Sequence, residues 1–131
     1  MAHLLDTSVA VYLRDRNDAL LTRLAGLDRR PALSVVTLVE LEGGVHSRPE
    51  LRAMRRNRVE AMVDQMDVLP FEEPCVSVYG TIVEKAGFSR RKIIDRMIAA
   101  TALVHGLTLA TLNGDDFADV PELDLEVWPT P

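Results

Sequence analysis

Acidic residues stand in this sequence where apolar runs stop. Asp6 closes His3-Leu4-Leu5, Glu40 lies shortly after Ala32–Val35, Asp95 sits among Ile93, Ile94 and Ile98, and Asp115 and Asp116 follow Leu107–Thr111. Carboxylates gathered in one crevice repel each other, and burying them is costly. A hard divalent cation resolves that cost, because Mg2+ takes oxygen ligands, keeps several waters and binds one or two carboxylates directly. Such an ion activates a bound water and clamps the oxygens of a phosphodiester. The chemistry these residue types offer is metal-assisted phosphate-ester hydrolysis, provided the fold brings them together.

The elements that must position them follow from the hydrophobic pattern. His3–Leu5 reads as a buried strand ending at Asp6. Thr7 and Ser8 are placed to cap a helix over Val9–Arg14, and Asn17 to cap another over Asp18–Leu27. After Pro31, Ala32–Val35 reads as a second strand and Thr37–His46 as a helix carrying Leu38, Leu41 and Val45 on one side. Pro49 and Glu50 open a long helix to about Met66, Asp67–Phe71 is a short strand, and Glu73-Pro74 starts a helix that Gly87 ends. Ile93–His105 is a strongly apolar helix ended by Gly106. Leu107–Thr111 and Leu125–Trp128 are strands, with a polar loop or helical turn over Asn113–Asp119 between them. Short strands separated by helices predict a parallel sheet covered on both faces, an α/β fold whose ligands bind at the carboxyl ends of the strands. The acids named above fall at that edge.

Each acid also has an ordinary role open to it. Asp6 ends a strand, Glu40 can be a solvated helix residue, Asp95 suits a helix's first turn, and residues 113–131 are acidic throughout with no base among them. Asp95, however, shares the i, i+3, i+4, i+7 face of Ile98, Ala99 and Ala102, the buried face, where an unpaired carboxylate is unfavourable.

Composition bounds the remaining possibilities. At 131 residues a single domain, 1–131, is the expectation, long enough to bury a core without staples. The single cysteine, Cys75, excludes an intrachain disulfide and a cysteine-based zinc site and suits a reducing, cytoplasmic setting. The sequence has no apolar run long enough for a transmembrane helix, and Asp6 arrives too early for a signal peptide. A net charge of −5 argues against nonspecific coating of duplex DNA.

Taken together, the motifs resemble those of the PIN-domain family. Leu4-Leu5-Asp6-Thr7-Ser8 is similar to the family's opening motif, and Ser34–Leu41 followed by Gly44 to its second. Ile94–Ala100 resembles the third, Leu109–Phe117 the fourth, and Leu125–Trp128 the usual close, so the resemblance runs from Leu4 to Trp128. The length matches the VapC-type toxins of bacterial toxin–antitoxin pairs. The resemblance implies an α/β/α sandwich with a central parallel sheet of about five short strands. It implies a Mg2+- or Mn2+-dependent endoribonuclease leaving a 5′-phosphate and a 3′-hydroxyl. It implies that Asp6, Glu40, Asp95 and Asp116 form the acidic site, Asp116 rather than Asp115 because it precedes Phe117. Thr7, Ser8, Thr111 and Asn113 are then supporting polar groups. A homodimer and a cognate VapB-type antitoxin that occludes the site are implied as well. Ser8 is a departure, since many relatives have Asn there.

On this reading Asp6, Asp95 and Asp116 hold one or two ions, directly or through water, and Glu40 orients the nucleophile or bridges metal waters. No histidine pair is required, and His3, His46 and His105 read as structural or solvated. Contacts to the RNA backbone are expected from Arg90, Arg91, Lys92 and Arg96 beside Asp95. Arg48, Arg52, Arg55 and Arg56 form a second basic face for RNA, an acidic antitoxin segment or solvent. The aromatic residues read as core, and Val9, Val11, Tyr12 and Leu13 as a candidate dimer or antitoxin surface.

Other classes fit less well. A receiver domain needs an acid pair after its first strand and a late lysine, yet Asp6 stands alone and no lysine follows Lys92. A phosphatase of the haloacid dehalogenase type needs D-x-D, and Ser8 occupies the third position. The remaining alternative is a noncatalytic PIN-like module that only binds RNA or protein.

Overall fold

Leu4 and Leu5 of β1 (His3–Leu5) point to opposite faces of a sheet, and both are fully buried. Leu5 joins a core with α1 (Thr7–Arg14), α2 (Asp18–Ala25), α3 (Val35–Ser47) and α4 (Arg52–Asp64). Leu4 joins another, dominated by α5 (Glu73–Ala86) and α6 (Ile93–His105). The same alternation separates Ala32 from Leu33 in β2 (Ala32–Ser34) and Leu109 from Ala110 in β4 (Thr108–Thr111). A sheet with apolar residues on both faces must be covered twice, and the result is a three-layer α/β/α sandwich. The computed structural model describes residues 2–131; Met1, the first residue of the 1–131 domain expectation, lies outside the described residues.

With β3 (Asp67–Leu69) and β5 (Leu125–Val127), the sheet has five strands in the order β3-β2-β1-β4-β5, every neighbouring pair parallel. The chain winds outward from β1 through β2 to β3, then crosses by α5 and α6 to the other side of β1. The direction reverses between β1 and β4, and such a switch point opens a crevice at the carboxyl ends of the two strands.

Most predicted elements are present, with shifts at their ends that have local causes. Thr7 and Ser8 do not cap α1. Asp6 is its N-cap residue, and its carbonyl accepts the N–H groups of Val9 and Ala10 at 3.0 Å each. The second strand stops at Ser34 because the Ser34 hydroxyl accepts the Val36 N–H at 3.0 Å and starts α3 two residues before Thr37. Asn17 caps α2 as expected, accepting from the Leu20 N–H at 3.2 Å. The predicted long helix is a 3-10 turn, Pro49–Leu51, followed by α4. Gly106 ends α6 in the left-handed region at φ 64°. Of the surface expected around α1, Val9 and Leu13 are core residues instead, while Val11 and Tyr12 pack on the same core and stay partly exposed.

Candidate active site

Asp6 follows β1 directly, and its backbone N–H continues the ladder to the Ala110 carbonyl at 2.9 Å. Its side chain is only 4% exposed and takes no part in capping α1. Oδ2 instead accepts two hydroxyl protons, from Ser8 at 2.7 Å and from Thr111 at 2.8 Å. Each hydroxyl in turn accepts a backbone N–H, Ser8 from Leu112 at 3.1 Å and Thr111 from Asn113 at 3.0 Å. Both hydroxyl protons are directed at Asp6, so the 3.3 Å approach of Ser8 to Thr111 is a contact between acceptors. The carboxylate is thereby fixed from two elements, and the serine departure at position 8 supplies one of the two donors.

Glu40 is oriented in the same way. Thr7 donates to Glu40 Oε1 at 2.6 Å, and the Thr37 hydroxyl lies 3.0 Å from that of Thr7. Thr7 has a single proton, so Thr37 donates to Thr7 and Thr7 to Glu40. Thr37 is fully buried and was not among the predicted supporting groups. Its signal was present, because Thr37 and Glu40 are i, i+3 on one helix face.

Asp95 stands in the first turn of α6 and is half-buried. Its carboxyl is pushed up to about 6, first by burial and then by the charges of Asp6, Asp116 and Glu40. The four predicted acids therefore share one neighbourhood at the switch point. Asp116 is exposed, on the 3-10 turn Gly114–Phe117, where the buried Phe117 anchors the turn. The turn lies against β5 because Gly114 has no side chain: a Cβ there would stand 2.7 Å from Val127 Cγ2. Asn113 contributes its backbone N–H to Thr111, and the residue itself is exposed.

The donor set of carboxylates and hydroxyls suits a hard, oxygen-seeking cation. Among the described residues no three His, Cys, Asp or Glu side chains close a ready cage around one ion. An ion taken up by these acids would therefore have to keep most of its own water.

The basic residues divide differently from the sequence expectation. Arg96 is 2% exposed and gives its Nη2 to Asp119 at 3.1 Å and its Nη1 to the Gly87 carbonyl at 2.5 Å, so it is no surface contact for RNA. Lys92 also pairs with Asp119, at 2.9 Å. Arg90 and Arg91 remain exposed, and among the described residues no ion pair holds them. The Arg48–Arg56 face is mostly committed internally. Arg56 grips Glu42 with two bonds of 2.6 Å, and Arg55 donates to the Gly44 carbonyl at 2.6 Å, lashing α4 to α3. Arg48 pairs with its neighbour Glu50.

His3 and His46 bond Glu126 and Glu42, in keeping with structural roles. Trp128 and Phe117 are core, as expected of the aromatics, but Phe88 is 67% exposed.

A doubly wound parallel sheet with hydroxyl-held carboxylates at its switch point defines an α/β protein with an acidic centre. The chain belongs to the PIN domain family, whose model matches residues 3–123. Ribonuclease VapC2 of Rickettsia felis is 27% identical over 98% of each chain. The crystal structure of VapBC2 from Rickettsia felis bound to a DNA fragment from their promoter superposes with a TM-score of 0.86 at 26% identity, covering 98% of this chain and 99% of that one. VapBC-5 of Mycobacterium tuberculosis, a member of the VapBC family of toxin–antitoxin systems, gives a TM-score of 0.71 at 30% identity over 98% of each chain.

Proposed function

We propose that this chain, read as one domain over residues 1–131, is a metal-dependent endoribonuclease toxin of a toxin–antitoxin pair, restrained by a cognate VapB-type antitoxin. The observation that carries the reading is the convergence of Asp6, Glu40, Asp95 and Asp116 on the crevice between β1 and β4, registered in the raised Asp95 carboxyl. The named ribonuclease and toxin–antitoxin relatives support it.

Asp6, Asp95 and Asp116 would hold Mg2+ or Mn2+, with waters completing the coordination. When bound, such a cation supplies an activated water and stabilises charge on the phosphodiester oxygens. The protein's own part is positional. Ser8 and Thr111 fix the Asp6 carboxylate, and Thr37 and Thr7 aim Glu40 to orient the attacking water. Of the basic residues beside Asp95, Arg90 and Arg91 are the two that no ion pair holds among the described residues, and they would receive RNA phosphates without reading sequence.

The test is cleavage of total cellular RNA by purified protein with Mg2+ or Mn2+, with EDTA, and with Asp95→Asn. Discrete fragments that need metal and vanish in the variant establish the nuclease. Cleavage that survives both identifies a contaminant, and a wild type that binds RNA but neither metal nor scissile bond returns the chain to the noncatalytic alternative.

A further inference from the structure

Lys92 presents an unexplained choice. It stands i, i+3 from Asp95 across the start of α6, a spacing that makes side chains neighbours on a helix surface. Yet its ammonium does not pair with Asp95. It donates instead to Asp119 Oδ2, at 2.9 Å. The same oxygen accepts from Arg96 Nη2, so one exposed-side carboxylate holds two cations that flank Asp95 in sequence. Asp119 lies just beyond the turn that carries Asp116, and Arg96 just beyond Asp95. Arg96 is held at its other end by the Gly87 carbonyl, and its buried Nε has no partner, so Asp119 is the only acid neutralising it among the described residues.

We propose that Asp119 is a positioning residue of the acid site: it holds Lys92 off Asp95, keeping the space among the carboxylates open to a divalent cation, and through Lys92 and Arg96 ties the first turn of α6 to the turn bearing Asp116. The inference rests on the reading that those carboxylates take up such a cation. Without the Asp119 carboxylate, Lys92 turns to the acid within its reach, Asp95, and the protein's own ammonium competes for the place of the ion.

The experiment is calorimetric titration of Mn2+ into the full-length protein, with thermal melts alongside. Asp119→Asn is expected to weaken Mn2+ binding about tenfold, the scale on which partners of ligating groups act. Adding Lys92→Gln to that variant is expected to restore the affinity to within about threefold, whereas a clamp that merely braces the fold would lose further stability and recover nothing. Asp119→Glu, which keeps the charge, is expected to bind close to the wild type. Unchanged affinity in Asp119→Asn, or a loss that Lys92→Gln does not repair, overturns the proposal. Lys92→Gln alone serves if Asp119→Asn does not fold. It is expected to shift affinity by no more than about threefold, since Lys92 is already held away; a tenfold tightening would show that Lys92 occupies Asp95 in the native protein. Asp95→Asn separates the two levels: if it binds Mn2+ like the wild type, the carboxylate reading itself falls and takes this inference with it.

Discussion

Thr111 Oγ1 donates to Asp6 Oδ2 at 2.8 Å, joining residues 105 apart in sequence across the boundary where the sheet reverses direction. The bond is buried, and its loss leaves both the carboxylate and the Asn113 N–H with one partner fewer. Thr111→Val keeps the shape and removes the hydroxyl. Urea denaturation is expected to show a loss of about 1–3 kcal/mol, and RNA cleavage to fall with it. A variant as stable and as active as the parent would mean that Asp6 is held by Ser8 alone.

Asp95 should be a destabilising residue in the metal-free protein. Its folded carboxyl titrates at about 6 against an ordinary 3.8, so the folded state holds the proton more tightly than the unfolded state does. Protonation therefore favours folding. The penalty is absent below the unfolded value, grows as pH rises between the two, and is complete above the folded one. Asp95→Asn is expected to raise the metal-free stability at neutral pH by about 1 kcal/mol, after allowance for the solvent screening of a half-exposed group. Thermal melts across pH check this. Stabilisation accompanied by loss of cleavage is the expected pair of outcomes, and a variant that melts lower than the wild type at neutral pH would contradict it.

Metal should reverse that penalty. Mn2+ at one hundred times its dissociation constant is expected to stabilise the wild type by about 2.7 kcal/mol. EDTA should abolish the gain, and Asp95→Asn should show little of it. Equal stabilisation of both proteins would place the ion elsewhere.

The arginines should separate by salt dependence. Arg90→Gln and Arg91→Gln are each expected to lower the slope of log affinity for RNA against log salt by about 1. Arg56→Gln should leave that slope unchanged, because Arg56 is bound to Glu42. The Arg56 guanidinium holds the Glu42 carboxyl down to about 2. A depressed acid lends stability above its unfolded value and loses it as pH falls through the folded one, so the α3–α4 clamp persists in moderate acid. Parallel slopes for all three variants would refute the division.

Gly114→Ala tests the close approach of the Asp116 turn to β5. The added Cβ meets Val127 Cγ2, and either the turn or the Val127 side chain must shift. Overpacking of this kind costs about 1–3 kcal/mol, and cleavage is expected to fall further than stability alone explains. An alanine variant of full activity would show that the turn tolerates displacement.

The parallel fold and the acids were legible in the sequence because both leave short-range marks. Asp6 abuts an apolar triplet, Gly106 takes the left-handed region its helix end requires, and Asp95 shares the period of Ile98, Ala99 and Ala102. What the sequence concealed depends on partners distant along the chain. Arg56 reads as one of a row of solvated arginines until α3 brings Glu42 against it. Arg96 reads as surface because a single buried face was assumed for α6. That helix is buried on several sides, Ala100 and Thr101 included, and a run so rich in small residues allows neighbours to approach from each. Thr37 was quoted within a motif, but its hydroxyl gains a role only when Thr7 arrives from another element. Phe88 went the other way, an aromatic residue that the fold leaves outside.

The sheet order also sets a clock. Asp6 is made 105 residues before Thr111, its partner across the switch point. At ~5–20 residues per second, a ribosome takes about 5–20 s to cover the interval between them. Throughout that time β1 lacks its neighbour on one side and the carboxylates have no common crevice. Under the proposed function, a growing chain is harmless to the RNA it is being read from until the residues from Thr111 to Asp116 have been made.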